Sequence, residues 1–230
     1  MDTPDDAQGS GVLEVDAEEG DLPSVGRERV LEACLVSCTA LSMGGVAARE
    51  GVSFAVAKGV PLLADTHALA LFGGDGGLAV SVAAGLGAAA VVTAARQAVK
   101  AASPEYAEAS RRSLKQVLSP LGASETAVIA VLPAFSEELL FRGALLPAVG
   151  CNAGGVLVAA AVFGALHAGN GGRNAQFAAF AGLAGAAYGA AALATGGVTA
   201  AAVGHGAANL AEALAWRSDN AADRPATQDE

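Results

Sequence analysis

The sequence predicts an all-α protein: a polytopic bundle of about six to eight transmembrane helices with a disordered acidic N-terminal tail. Of its 230 residues, 53% are apolar and only 16% are charged, against roughly 25% charged residues in typical soluble domains. Residues 1–26 hold eight acidic residues and no basic one. Between Thr126 and Ala211 only four residues are charged, so this stretch is suited to a bilayer or a deep core.

The acidic tail comes first, and it cannot bury enough apolar surface to offset the entropy of ordering it. Apolar stretches follow, and most of them approach the roughly 20 residues that span a bilayer. The second stretch is the weakest, because it contains Lys58, Asp65 and His67 and also fits a re-entrant or interfacial segment. The stretches cover residues 30–48, 52–72, 78–95, 126–149, 155–168, 174–195 and 198–216.

Residues 96–122 form the one long polar insert. Ser103 is a suitable N-cap, Pro104 fits the first helical position and Glu105 places an acid in the first turn. We therefore predict an amphipathic helix that lies on the membrane. Its basic residues indicate the cytoplasmic or stromal side by the positive-inside rule; they are Arg96, Lys100, Arg111, Arg112 and Lys115.

This anchor sets an expected topology. If the basic insert lies on one side of the membrane and the seven apolar stretches all cross it, Arg49, Arg173 and Arg217 lie on the basic side and the acidic tail lies on the opposite side. The overall charge excludes a strong nucleic-acid partner, because thirteen basic residues against twenty-three acidic ones cannot displace counterions from many phosphates.

Two adjacent carboxylates, Glu137 and Glu138, lie in an apolar predicted helix, where an ionisable residue is costly and therefore a candidate functional residue. Arg142 follows Glu138 by one helical turn, so these two side chains can pair. Glu137 is left on a neighbouring face. Burial disfavours the charged form of a carboxyl group, which suits a general base near neutral pH, and we therefore predict Glu137 as the base. Pro133 is expected to kink or widen the same helix and to admit water.

Two histidines also lie in apolar predicted helices. His167 follows Phe163 by four residues, and His205 precedes Asn209 by four residues. An acid, two imidazoles and an amide at one cavity would suffice to activate water and to stabilise an oxyanion.

These residues also admit other interpretations. Each can serve only in packing or in bonding helices together. Glu137, His167 and His205 can also be seen as a zinc site with an open position, but the spacing has no HExxH and the ligands would come from separate helices. We therefore predict no metal and no cofactor, with zinc as the alternative. A proton relay through Glu137 and His205 would instead make the protein a carrier.

Three motifs in this order resemble the CPBP family, the CAAX protease and bacteriocin-processing group, also called Abi proteins, which includes the type II CaaX prenyl endopeptidases. The motifs are EExxxR at residues 137–142, FxxxH at 163–167 and HxxxN at 205–209. The resemblance covers roughly residues 124–215. The sequence of residues 132–147 looks most like the sequences of the plant and cyanobacterial branch of this family.

The resemblance implies an intramembrane endopeptidase of the glutamate type that acts on a membrane protein or a lipidated peptide. In the CaaX enzymes the substrate is a prenylated C-terminal tripeptide, cut after the lipidated cysteine. The compartment it implies is a plastid membrane for a plant or algal source, and otherwise the plasma or endoplasmic reticulum membrane. By position, Glu137 and His167 would activate the water, His205 and Asn209 would stabilise the oxyanion, and Glu138, Arg142 and Phe163 would hold the site's geometry.

Four segments follow from this interpretation. They are a disordered acidic tail at residues 1–26, N-terminal membrane helices with the polar loop at 27–122, a catalytic core at 123–216, and a disordered C-terminal tail at 217–230. Two questions stay open at this point: which of the two glutamates is the base, and whether the protein is instead a catalytically silent membrane scaffold or chaperone with the same fold.

Overall fold

The computed structural model describes residues 22–60, 63–169 and 174–221, and these residues form a bundle of α-helices. The acidic tail up to residue 21 and the end of the chain from residue 222 lie outside the described residues, as does Arg173. The helices are α1 (Arg27–Ala57), α2 (Gly77–Ala102), α3 (Pro104–Leu118), α4 (Ala123–Leu140), α5 (Leu146–Val149), α6 (Ala153–Leu166), α7 (Ala175–Thr195) and α8 (Val198–Asp219).

The predicted span at residues 52–72 is wrong. The first residues of this predicted span belong to α1, which ends at Ala57. Gly59 then turns the chain with a positive φ of 81°. Beyond the turn, the described part of this stretch holds only a short 3₁₀-helix, Thr66–Ala68, whose N-cap Asp65 accepts a hydrogen bond from the amide of His67. Polar and turn-forming residues thus override the moderate hydropathy of this stretch.

The predicted helix of the polar insert is confirmed as α3. The Ser103 hydroxyl accepts a hydrogen bond from the amide of Tyr106 at 3.1 Å, and Pro104 begins the helix. One face of α3 is buried in the bundle: Tyr106 is 1% exposed, and its ring centroid lies 5.3 Å from that of Phe180 on α7.

The helices of the bundle run in two directions. α2 and α8 are parallel, since Gly85 lies beside Ala200 and Arg96 beside Ala208 further along both helices. α4 runs against α8, because its start is bound by Arg217 near the end of α8: the guanidinium donates to the Leu121 carbonyl at 2.8 Å and to Thr126 Oγ1 at 3.2 Å.

The expected topology needs two corrections. Arg49 does not lie on the basic side: its guanidinium is buried in the half of the bundle away from α3, where it donates to the carbonyls of Gly143 at 2.7 Å and Leu69 at 2.9 Å. The acidic tail joins the bundle at the basic end rather than opposite it, because Gln116 on α3 donates to the Pro23 carbonyl. Both errors follow from counting residues 52–72 as a separate span.

The described residues form an all-α membrane bundle, and the protein is an integral membrane protein. Among them, three helices are long and apolar enough to span a bilayer: α1, α2 and α7. A fourth span is present if α3 and the continuous helical segment Ala123–Val149, which are bent by 119° relative to each other, cross the bilayer as one unit. This number is smaller than the six to eight expected. α8 is long enough but carries the polar residues described below. It continues to Asp219, so the first residues of the predicted C-terminal tail are helical.

Candidate functional site

A buried ion pair occupies the centre of the site. Glu138 and Arg142 are both 0% exposed, and Arg142 Nη1 donates to Glu138 Oε1 at 2.8 Å. The expected pair is therefore present. Arg142 Nη2 also donates to the Gly185 carbonyl on α7, and the guanidinium lies over the ring of Phe163, 5.1 Å from its centroid. α4 and α7 are thereby fixed to each other at the motif.

The helix widens at Arg142 of this pair rather than at Pro133. α4 continues as an α-helix through Pro133 to Leu140, and residues Phe141–Leu145 then form a π-helical turn that contains Arg142. Such turns leave backbone groups in need of other partners. Arg49 supplies one of them, because its guanidinium donates to the carbonyl of Gly143 in this turn.

His205 on α8 connects the two glutamates. Its Nδ1 lies 2.9 Å from Glu138 Oε1, a distance at which Nδ1–H donates to the carboxylate. Its Nε2 lies 4.0 Å from Glu137 Oε2, beyond a direct hydrogen bond. Tyr188 stacks on the imidazole with ring centroids 4.9 Å apart and planes 16° apart. The ring is thus held between fixed partners, and Nε2 faces Glu137.

His167 and Asn209 complete the predicted set. His167 ends α6, and its Nδ1 lies 2.8 Å from the Phe163 carbonyl. A carbonyl only accepts, so Nδ1 carries the proton and Nε2 carries the lone pair of the neutral ring. Asn209 Nδ2 donates to the carbonyl of Ala130 on α4 at 3.4 Å, which leaves the amide oxygen and the second N–H for other partners.

One cavity of about 730 Å³ is lined by four of these polar side chains, Glu137, His167, His205 and Asn209. It extends from Glu137 toward the basic end of the bundle, where Val25, Arg29 and Gln116 line it. Much of its wall is apolar. Its lining includes Glu137, His167, His205 and Asn209, together with Tyr188, Phe163, Phe177, Phe180, Ala181 and Ala184.

Sequence reasoning missed three residues of this cavity, Tyr188, Arg96 and Glu212. The Tyr188 hydroxyl is buried with no hydrogen-bond partner, and the only signal for it was a lone phenol in the apolar helix α7. Arg96 was interpreted as a surface cation of the polar insert, yet its side chain is only 11% exposed. Glu212 directly follows the nearly uncharged stretch 126–211.

Metal binding has no support from the described ranges: no three His, Cys, Asp or Glu side chains within 22–60, 63–169 and 174–221 are grouped so that they could hold an ion. The absence of a cofactor stays a prediction, which the chelator control below tests.

Comparison of the sequence with protein-family models gives one match. Residues 120–211 match the family model described as type II CAAX prenyl endopeptidase Rce1-like. This segment contains all three motifs, and the match confirms the resemblance to the CPBP family that they suggested. The match supports protease activity of the CAAX prenyl endopeptidase type in general terms. The plant and cyanobacterial branch and the plastid location stay predictions. Neither the curated proteins nor the solved structures gave a match to the chain.

Proposed function

We propose that this protein is an intramembrane endopeptidase that hydrolyses a peptide bond in a membrane-associated substrate of the prenylated CaaX type. One observation carries the proposal: Glu137, His167, His205 and Asn209, from three different helices, line a single cavity. A merely structural set of polar residues would be expected to use up its hydrogen bonds between helices. Here Glu137 Oε2 and His205 Nε2 instead face each other across 4.0 Å, and one water oxygen can contact both atoms.

The proposed reaction is the direct attack of water on the scissile carbonyl. Glu137 accepts one proton of the water, and the second O–H of the water donates to the lone pair of His167 Nε2, as the water oxygen bonds to the carbonyl carbon. The resulting oxyanion receives hydrogen bonds from Asn209 and from His205. The carbon–nitrogen bond then breaks, and Glu137 returns its proton to the leaving amine. The products are a carboxylic acid and an amine, and transfer of the acid's proton to the amine gives a carboxylate and an ammonium group.

Glu138 and Arg142 serve this reaction by positioning. Glu138 Oε1 lies within hydrogen-bond distance of both Arg142 and His205, so the ion pair fixes the tautomer and the orientation of the imidazole. This division of roles assigns the base to Glu137 and answers, as a proposal, the question left open between the two glutamates. The largely apolar wall of the cavity fits a lipidated or apolar substrate segment.

The test uses purified protein in liposomes, incubated with prenylated and unprenylated peptide libraries and analysed by mass spectrometry. We expect wild type to cut peptides and Glu137→Gln to lower the rate at least about 100-fold, since general-base catalysis contributes 10²- to 10⁴-fold. Arg111→Gln is the matched control, because Arg111 lies on α3 outside the cavity lining. Its rate should equal that of wild type.

Two further readouts separate the alternatives. A chelator should leave the rate unchanged, and loss of activity that zinc restores would favour the metal-dependent mechanism. Folded wild-type protein that cuts no peptide would contradict the proposal and favour the scaffold or chaperone function. Transport of protons by the protein in the same liposomes would favour the carrier.

A further inference from the structure

A buried arginine outside the cavity contacts the turn that carries Arg142. Arg49, in the second half of α1, lies outside the cavity lining and outside the three sequence motifs, and it is only 6% exposed. Its Nη1 donates to the carbonyl of Gly143 at 2.7 Å. Gly143 directly follows Arg142 in the π-helical turn Phe141–Leu145. A buried guanidinium is costly unless its donors are satisfied, and this one is satisfied at the residue next to the ion pair of the site.

The same guanidinium is connected to α8 through one short segment. Its Nη2 donates to the carbonyl of Leu69 at 2.9 Å. The carbonyl of the next residue, Ala70, accepts a hydrogen bond from the amide of Val198 at 2.8 Å, and Val198 begins α8. His205 follows Val198 by seven residues, which is about two helical turns. One guanidinium therefore connects the π-helical turn after α4 with the start of the helix that carries His205.

The proposed reaction depends on the relative position of these two helices. Glu138 on α4 lies within hydrogen-bond distance of both Arg142 and His205, and this contact orients the imidazole. A hydrogen bond is lost once its heavy atoms lie about 3.6 Å apart, so a displacement of about 1 Å at the turn or at α8 would break it. π-helical turns are rare, and Arg49 holds this one from outside the site.

We infer that Arg49 is a positioning residue of the proposed reaction. It touches neither the water nor the substrate. It acts through the π-helical turn on the pair of Glu138 and Arg142, and through residues 69–70 on the start of α8, and it thereby sets the position of the His205 imidazole. The expected effect on rate rests on the proposed function, whereas the coupling between Arg49 and Glu138 is testable without catalysis.

Arg217 supplies a matched control at the other end of the bundle. It is also 6% exposed, and it also joins α8 to α4, since its Nη1 donates to the Leu121 carbonyl at 2.8 Å and to Thr126 Oγ1 at 3.2 Å. Thr126 lies twelve residues from Glu138, about 18 Å along the helix, whereas Gly143 lies five residues from Glu138. Loss of Arg217 should therefore destabilise the bundle without displacing the reaction centre.

The kinetic test uses the peptide that wild type cuts fastest in the liposome assay, at a temperature at which every variant is folded. Arg49→Lys keeps the charge but loses the planar fork that reaches two carbonyls. We expect it to lower kcat about 10-fold and Arg49→Gln to lower kcat about 100-fold, the scale of a misplaced catalytic group. KM should stay unchanged, because the orientation of His205 matters in the transition state.

The matched variants Arg217→Lys and Arg217→Gln should lower the Tm and leave kcat unchanged. Equal decreases in kcat for the two arginines would show a general effect of loosened helices and would overturn the inference. An unchanged kcat in Arg49→Gln would overturn it as well. Should Arg49→Gln fail to fold, Arg49→Lys is compared with Arg217→Lys instead.

The second test needs no catalysis. The Tm in detergent is measured for Arg49→Lys, for Glu138→Gln and for the double variant, and the same cycle is repeated with Arg217→Lys. Side chains in one hydrogen-bond network couple, whereas those without shared partners are additive. We expect the Tm decreases of Arg49→Lys and Glu138→Gln to be less than additive, and those with Arg217→Lys to be additive. Additive decreases in the Arg49 cycle would overturn the inference. Should wild type cut no peptide, the proposed function fails, and this cycle alone decides whether Arg49 acts on Glu138.

Discussion

At the scale of single residues, two adjacent glutamates differ in almost every respect. Successive residues on an α-helix point about 100° apart, so Glu137 and Glu138 have different surroundings. Glu138 is 0% exposed and bonded to Arg142 and His205. The Glu137 side chain is 20% exposed and faces the cavity. The sequence indicated the pairing with Arg142 by its four-residue spacing, whereas the contact with His205, 67 residues away, follows only from the tertiary fold.

This difference predicts that the two glutamates affect stability unequally. Glu138→Ala leaves the buried Arg142 without its carboxylate, and breaking a buried pair from one side costs about 3–5 kcal/mol. Glu137→Ala removes a partly exposed group that has no such partner, and we expect a cost of about 1 kcal/mol or less. The Tm of each variant in detergent, beside wild type, measures this. Equal decreases in Tm would contradict the separation of a structural and a reactive glutamate.

At the scale of helices, close contact between α2 and α8 depends on glycine. A Cβ on Gly85 would lie 2.6 Å from the Ala200 carbonyl oxygen and 2.8 Å from Val203 Cβ. Gly87 lies two residues further on the same helix, and a Cβ there would meet nothing within 4 Å. The two glycines therefore form a matched pair for testing the contact.

We expect Gly85→Ala to destabilise the protein by about 1–3 kcal/mol, the usual cost of overpacking. It should also lower peptide cleavage, because separating α2 from α8 displaces α8, which carries His205 and Asn209. Gly87→Ala should be neutral or stabilising by up to about 1 kcal/mol, since alanine favours a helix over glycine. Tm values and cleavage rates of both variants check this. A neutral Gly85→Ala would show that the helices separate without cost.

The helices also show what local sequence can predict. α3 was predictable because its cap and first turn are encoded within three residues, Ser103 to Glu105. The π-helical turn Phe141–Leu145 was not, because it is stabilised by Arg49, 94 residues from Gly143. The span expected at 52–72 failed because average hydropathy does not register a turn. Motif spacing, by contrast, singled out four residues that line the cavity, Glu137, His167, His205 and Asn209, and their catalytic roles stay a prediction.

At the scale of the whole molecule, the basic residues are concentrated at one end of the bundle. One end of the bundle brings together the start of α1, all of α3, the ends of α2 and α8, and the start of α4. The ion pair of Arg27 with Glu125 and the hydrogen bond from Gln116 to Pro23 lie at this end. Most of the described basic residues belong to this end. They are Arg27, Arg29, Lys100, Arg111, Arg112, Lys115 and Arg217. The cavity extends toward the same end, so the proposed function predicts that the substrate enters from the side of the membrane that carries the basic residues.

This segregation predicts the orientation of the protein. α1 has 31 residues and is about 46 Å long, which exceeds the roughly 30 Å hydrocarbon core of a bilayer. Lys58, just past its end, must therefore emerge on the side opposite Arg111. The positive-inside rule places the Arg111 side in the cytosol.

The test is to replace Cys34, Cys38 and Cys151 by alanine and to introduce Lys58→Cys or Arg111→Cys. In intact bacterial host cells an impermeant maleimide should label position 58, and position 111 only after permeabilisation. Labelling of both positions in intact cells would contradict a membrane-spanning α1. The reverse pattern would place the opening of the cavity, and with it the substrate, on the extracytoplasmic side.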